Sequence, residues 1–165
     1  MEQTLVVLNE LEAQGHFTRY AIGGAIALLF YTEPVLTYDL DVFCLLPTTD
    51  APLITPSPVY DYLKSRGFEP EHEHIMIAGV PVQFIPAYND LILEAVEQAA
   101  VQPYKQTWTR VLSYEHLLAI MVQMGRPKDR ARLTQALDER QPDEALLRSI
   151  LERHGLLTTW ESIGR

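Results

Sequence analysis

Apolar and polar positions recur at two different periods along this chain, and the switches between them outline its elements. Over residues 3–14, Leu5, Leu8 and Leu11 with the neighbouring valines repeat at helical spacing, which predicts an amphipathic helix ended by Gly15. Residues 17–22 predict a first strand. Residues 24–31 predict a second helix, stopped ahead of Pro34 because the residue before a proline avoids the helical region. Residues 39–46 predict a second strand, in which Asp39 and Asp41 alternate with Leu40, Val42 and Cys44. The proline-rich stretch from Pro47 to Pro58 predicts a loop. Ser57 as cap and Pro58 at the first helical position then open a third helix, which Gly67 ends.

The runs EHEHIMI and VPVQFIP meet across Ala78-Gly79 and predict a hairpin over 71–86. A fourth helix is expected from Asn89 or Asp90 to Ala100, and TWTRVL (107–112) as the last strand. Ser113 caps the apolar run LLAIMVQM, Gly125 ends it, and Pro127 and Pro142 each start a further helix before a short tail with Trp160. A mixed α/β half followed by a helical half predicts an α+β or α/β core with a helical C-terminal layer, and the α+β form, a mixed β-sheet with flanking helices, is the expectation. The length of 165 residues predicts a single domain, with 1–112 as the α/β core and 113–165 as its helical part.

The candidate chemistry lies between Tyr20 and Cys44. Asp39 and Asp41 stand two residues apart on a strand, so both carboxylates point to one face. Like charges at that range repel, and no Lys or Arg occurs between Arg19 and Lys64 to neutralise them. A divalent cation answers the pattern, and paired carboxylates suit Mg2+ or Mn2+. Gly23-Gly24 turns the first strand into the second helix, where glycine permits close approach of a ligand to the backbone. The free N–H groups at that helix start suit a phosphate. Phosphate beside metal-binding carboxylates points to a nucleoside triphosphate.

A glycine pair at a strand-to-helix turn, followed one helix later by Asp-x-Asp on a strand, resembles the nucleotidyltransferase superfamily of the DNA polymerase β type. The resembling residues are Gly23, Gly24, Ala25, Thr37, Asp39, Leu40, Asp41 and Val42. SYEHLLAI at 113–120 and GRPKD at 125–129 look like the helical tail of its small bacterial branch, which includes the AbiEii-like toxins and the minimal nucleotidyltransferases. The resemblance spans most of the chain from Phe17 to Leu137. It implies that Asp39 and Asp41 hold the metal that bridges a triphosphate, that Gly23, Gly24 and Ala25 cradle the nucleotide, and that Lys128 or Arg126 reaches its phosphates. In the toxin-like relatives the acceptor is RNA or a partner protein.

Two departures accompany the likeness. A third carboxylate on a neighbouring strand is usual in the superfamily, and the matching catalytic position here is Gln83, whose amide carries no charge and accepts no proton near neutral pH. Met121 stands where relatives of the branch often carry a lysine. Three readings follow: a nucleotidyltransferase moving a nucleoside monophosphate from Mg-NTP to a hydroxyl on RNA, protein or a small molecule; a degenerate relative that binds, as a regulatory or toxin–antitoxin component; or a structural domain that retains the scaffold.

Composition narrows the partners. Net charge is −9 and the pI about 4.9, which argues against broad capture of DNA or other nucleic acid. Four of the 13 basic residues, Arg126, Lys128, Arg130 and Arg132, fall within seven positions, and a solvated helix face is the plainer reading of them. His72 and His74 share a face of the expected hairpin strand; an exposed strand end is a plainer reading than a zinc site. The single Cys44 excludes an intramolecular disulfide and reads as a buried thiol. No apolar run is long enough to span a bilayer, and a cytoplasmic location with no membrane partner is the expectation. The nucleotide base and the oligomeric state, alone or with a partner protein, stay open.

Overall fold

The computed structural model describes residues 1–33, 37–47 and 55–163. Most of the stretch expected to loop after Pro47 lies outside the described residues. A seven-stranded mixed sheet forms the centre. In chain order its strands are β1 (Arg19–Ile22), β2 (Leu40–Leu45), β3 (Pro70–Glu71), β4 (His74–Ile77), β5 (Val80–Pro86), β6 (Ala100–Tyr104) and β7 (Thr107–Val111), and across the sheet they run β3-β4-β5-β2-β1-β7-β6. β2 pairs in parallel with β5 and β1 in parallel with β7; the other pairings are antiparallel. The helices are α1 (Glu2–Ala13), α2 (Gly24–Leu28), α3 (Ser57–Ser65), α4 (Asp90–Glu97), α5 (Tyr114–Met124), α6 (Pro127–Glu139), α7 (Glu144–Arg153) and α8 (Leu157–Ile163). This is the α+β arrangement that the order of elements predicts.

Local chemistry accounts for most boundaries. α1 buries Leu5, Leu8 and Leu11 on one stripe. Asn89 caps α4 by accepting the Ile92 N–H, and Ser113 caps α5 by accepting that of His116. Gly125 ends α5 in the left-handed conformation at φ 61°. Ala78 and Gly79 both take positive φ, the turn that matches the twist of a two-residue hairpin. α5 is buried from His116 to Val122 and is the hub of the helical layer, packing against α2, α4, α6, α7 and α8. α4 joins that layer to the sheet through β1 and β2. One hydrophobic core runs from Leu5 in α1 to Leu156 beyond α7.

The structure departs from the expected elements in five places. The helix after Gly23 is only five residues long, so it carries little of the macrodipole expected at its start. Asp39 lies one residue before β2 rather than within it. The N-cap of α3 is Pro56, not Ser57. His72 sits in a tight turn at φ 56° between β3 and β4, so it does not share a strand face with His74. α4 stops at Glu97, and Ala100–Tyr104 forms β6, paired antiparallel with β7. Pro103 argues against a strand in the sequence, yet β6 is the sheet edge, where a missing N–H is tolerated.

Candidate functional site

β2 brings the aspartates to the middle of the sheet. Its burial alternates so that Leu40 and Val42 go inward while Asp41 stays on the less buried face. The parallel register sets Asp41 beside Gln83 of β5. One step beyond the Ile75–Val82 pair, β4 brings His74 opposite Gln83. Asp41, Gln83 and His74 therefore form a row across three adjacent strands. Asp39 accepts a hydrogen bond at Oδ1 from the Thr37 hydroxyl, 2.9 Å away, and its Oδ2 lies 3.7 Å from His74 Nε2.

The glycine turn closes against this row. Gly23 donates its N–H to the Asp41 carbonyl at 2.9 Å, which ties the turn to β2. Gly24 holds φ 59°, and a Cβ there would fall on the Asp41 carboxylate, 2.8 Å from Cγ. The Gly24 backbone thus forms a cradle that only hydrogen leaves open. Gly23 does another job: a Cβ on it would overlap the Phe43 ring and meet Leu112 Cδ1 at 3.1 Å, so its smallness serves packing. Ala25 is buried in α2. Neither Gly23 nor Ala25 lines the cleft.

Gly24, Asp39, Asp41 and Gln83 form one wall of a cleft of about 330 Å³. α5 supplies an apolar wall through Leu117, Ile120, Met121 and Met124. The start of α6 supplies Arg126, Lys128 and Arg132 opposite the aspartates. Lys128 and Arg132 sit one turn apart on the same helix face. Arg126 is held by the buried Asp129, which accepts from both Nε and Nη2, the latter at 3.1 Å. Arg132 and His74 reach the site without having been singled out for it. Helical spacing from Lys128 points to Arg132; His74 needs the strand register, which one sequence does not display.

The two carboxyls titrate apart. Burial pushes Asp41 up to about 6, the neighbouring Asp39 charge adds to this, and Lys128, Arg132 and His74 work against it. Burial also raises Asp39, but the Thr37 hydroxyl, its own backbone N–H, His74 and Lys128 together hold it below the ordinary carboxylate value. Outside the cleft, burial pushes the Cys44 thiol up to about 12, in keeping with an inert core thiol.

The donor set fits a divalent cation. Asp39 and Asp41 offer hard oxygen ligands, Gly24 makes the space that the Asp41 carboxylate occupies, and His74 Nε2 is buried with no hydrogen-bond partner among the described residues. Among the described residues no group of three or more His, Cys, Asp or Glu side chains is placed to hold a metal ion. That suits a site of one or two carboxylates whose coordination is completed by substrate phosphates. Among the described residues no helix is long and apolar enough to cross a membrane.

No family model and no curated protein matches this sequence. Among solved structures, the fold is similar to that of an antigenic nucleotidyltransferase-like protein from Paracoccidioides brasiliensis. The match covers 96% of this chain and 88% of that one, with a TM-score of 0.55 and 15% sequence identity. The chain therefore has a nucleotidyltransferase-like fold.

Proposed function

We propose that the cleft binds the triphosphate of a nucleotide through a divalent cation on Asp39 and Asp41, Mg2+ or Mn2+, and that the protein transfers the nucleoside monophosphate to a hydroxyl acceptor. One observation carries the reading: the Asp41 carboxylate lies in the Gly24 cradle and faces Lys128 and Arg132 across the cleft. Carboxylates for a cation and fixed cations for phosphate are the two halves of a metal–triphosphate site. The fold and the residues resembling the superfamily between Gly23 and Val42 support the same conclusion.

The side chains divide the work. Asp39 stays ionised and is oriented by Thr37. Asp41 must lose its proton to serve as a ligand. Lys128 and Arg132 offset phosphate charge, and Asp129 fixes Arg126 at the cleft edge. The apolar α5 wall gives a nucleobase a surface to pack on. A bound divalent cation would neutralise the pyrophosphate leaving group.

Gln83 beside Asp41 favours a second reading, a binding module without rapid transfer. The resemblance of the helical tail to the small bacterial branch, in whose toxin-like members the acceptor is RNA or a partner protein, supports looking for an RNA, protein or small-molecule hydroxyl as acceptor, or for a toxin–antitoxin partner. The charge of −9 favours a compact acceptor or a partner protein over long nucleic acid.

The test is a thermal-shift series with Mg2+ or Mn2+ and each NTP, on wild type and on Asp39→Asn/Asp41→Asn. Ligand at about 100 times its dissociation constant stabilises the native state by about 2.7 kcal/mol. A metal-dependent shift with an NTP that the double variant loses supports both readings, and transfer of label from NTP to an acceptor then selects the enzyme. No shift with any NTP overturns both.

A further inference from the structure

We propose that the cleft prefers a purine nucleotide, and that the Tyr88 ring, with Met124 beside it, is the platform on which the base stacks. This rests on the reading of the cleft as a metal–nucleotide site and names the nucleotide class it takes. Tyr88 and Met124 both line the cleft, yet they are 56% and 38% exposed. The Tyr88 hydroxyl donates to the Met124 sulfur at 3.4 Å, and a thioether is a weak acceptor. The contact joins the segment after β5 to the last residue of α5 and leaves more than half of the tyrosine uncovered.

The backbone beneath that side chain is fixed on both sides. Ala87 donates its N–H to the Cys44 carbonyl of β2 at 3.0 Å. Asn89 caps α4 by accepting the Ile92 N–H, and its Nδ2 donates to Gln123 Oε1 of α5 at 2.8 Å. Tyr88 thus stands between a residue tied to the sheet and one tied to the helical layer. With only two side-chain torsions of its own, it loses little freedom when a flat ring settles on it. Arg126 interacts electrostatically with both Asp41 and Tyr88, so the carboxylate and the tyrosine belong to one site.

The base class follows from what surrounds the platform. Asp39, Asp41 and Gln83 belong to the sheet wall, and Lys128 and Arg132 face the aspartates from α6. Asp129 is committed to Arg126. The α5 wall offers Leu117, Ile120, Met121 and Met124, which carry no side-chain donor and only thioether sulfurs as acceptors. A base edge against that wall meets no pattern of donors and acceptors that separates adenine from guanine, or cytosine from uracil. Selection then rests on stacked area and dispersion, both larger for a two-ring purine than for a one-ring pyrimidine.

The experiment is isothermal titration of the whole chain with ATP, GTP, CTP, UTP and inorganic tripolyphosphate, each with Mn2+. ATP and GTP should bind within about threefold of each other and at least about fivefold more tightly than CTP and UTP. Tyr88→Ala should lose at least about fivefold in purine affinity while keeping tripolyphosphate affinity and the melting temperature of the free protein. Tyr88→Phe, which keeps the ring and loses the bond to Met124, should bind as wild type does. Equal affinity for all four nucleotides, selection of a single base, or purine binding undiminished in Tyr88→Ala overturns the platform and leaves the nucleotide reading standing. So does Tyr88→Phe behaving like Tyr88→Ala, which assigns the effect to the hydroxyl, or tripolyphosphate affinity falling together with stability, which makes Tyr88 structural. Failure of wild type to bind tripolyphosphate and every NTP removes the nucleotide reading and this inference with it.

Discussion

Gly24 and Asp41 occupy the same space: a Cβ added to the glycine would overlap the carboxylate, and the glycine backbone sits in the left-handed region at φ 59°. The turn and the carboxylate are thereby one unit, although 16 residues separate them in the chain. Gly24→Ala meets both obstacles. The strained φ alone costs about 1–2 kcal/mol, and displacing a neighbour adds to it. A melting temperature lowered by several degrees, together with loss of any metal-dependent NTP shift, is the expected result. An unchanged melting temperature would refute the close packing of these two residues.

Asp41→Asn should stabilise the ligand-free protein at neutral pH. The folded state raises this group to about 6 from an ordinary 3.8, so the native protein binds more protons than the unfolded chain between those values. Stability from this group is full below about pH 4 and is lost as pH rises through 6. Asparagine removes the penalty, on the order of 2 kcal/mol. Denaturant melts of both proteins at pH 4.5 and pH 8 check it: the advantage of the variant should grow at the higher pH.

Glu94 predicts the opposite slope. It accepts from Arg153 and His154, and His116 Nε2 lies 3.2 Å from it, so one carboxylate joins α4 to α5 and α7. The Arg153 hydrogen bond is the largest influence, burial opposes it, and the two histidines help hold Glu94 near 2. Its contribution is complete above the unfolded value of 4.5 and lost as pH falls toward 2. Arg153 is 45% exposed, so solvent screening cuts the contribution to about 1–2 kcal/mol. Glu94→Gln should lower stability at pH 7 by that amount and converge on wild type in acid melts near pH 2.

Lys128→Met/Arg132→Met should weaken NTP binding at least tenfold, about 1.4 kcal/mol. Both residues offset the charge of the buried Asp41, so the variant should also raise the pH at which Asp41 ionises. Isothermal titration with Mg-NTP reads the affinity. Equal affinity in the variant would place the phosphates elsewhere.

Asp129→Asn should behave differently, because Asp129 is 4% exposed and holds Arg126 through two hydrogen bonds. Weakening a mostly buried charge-assisted pair costs about 1–3 kcal/mol. Loss of stability together with weaker NTP binding is expected, and Arg126→Met should recover part of the stability but none of the binding.

Features that depend on residues within a turn of one another were legible from the sequence alone. The glycine pair, the cap at Ser113, the helix stop at Gly125 and the Ala78-Gly79 hairpin all follow from local backbone chemistry. The Asp-x-Asp pair was also visible, since strand alternation needs only its neighbours, although Asp39 proved to stand just outside β2. Pairing decided the rest. β6 exists because β7 offers it an edge, against the evidence of Pro103. His74 meets Asp39 because β4, β5 and β2 lie side by side, and Arg132 meets the aspartates because α6 begins across the cleft. Hydrogen bonds between strands and packing between helices act over distances in space, and a single sequence records only distance along the chain.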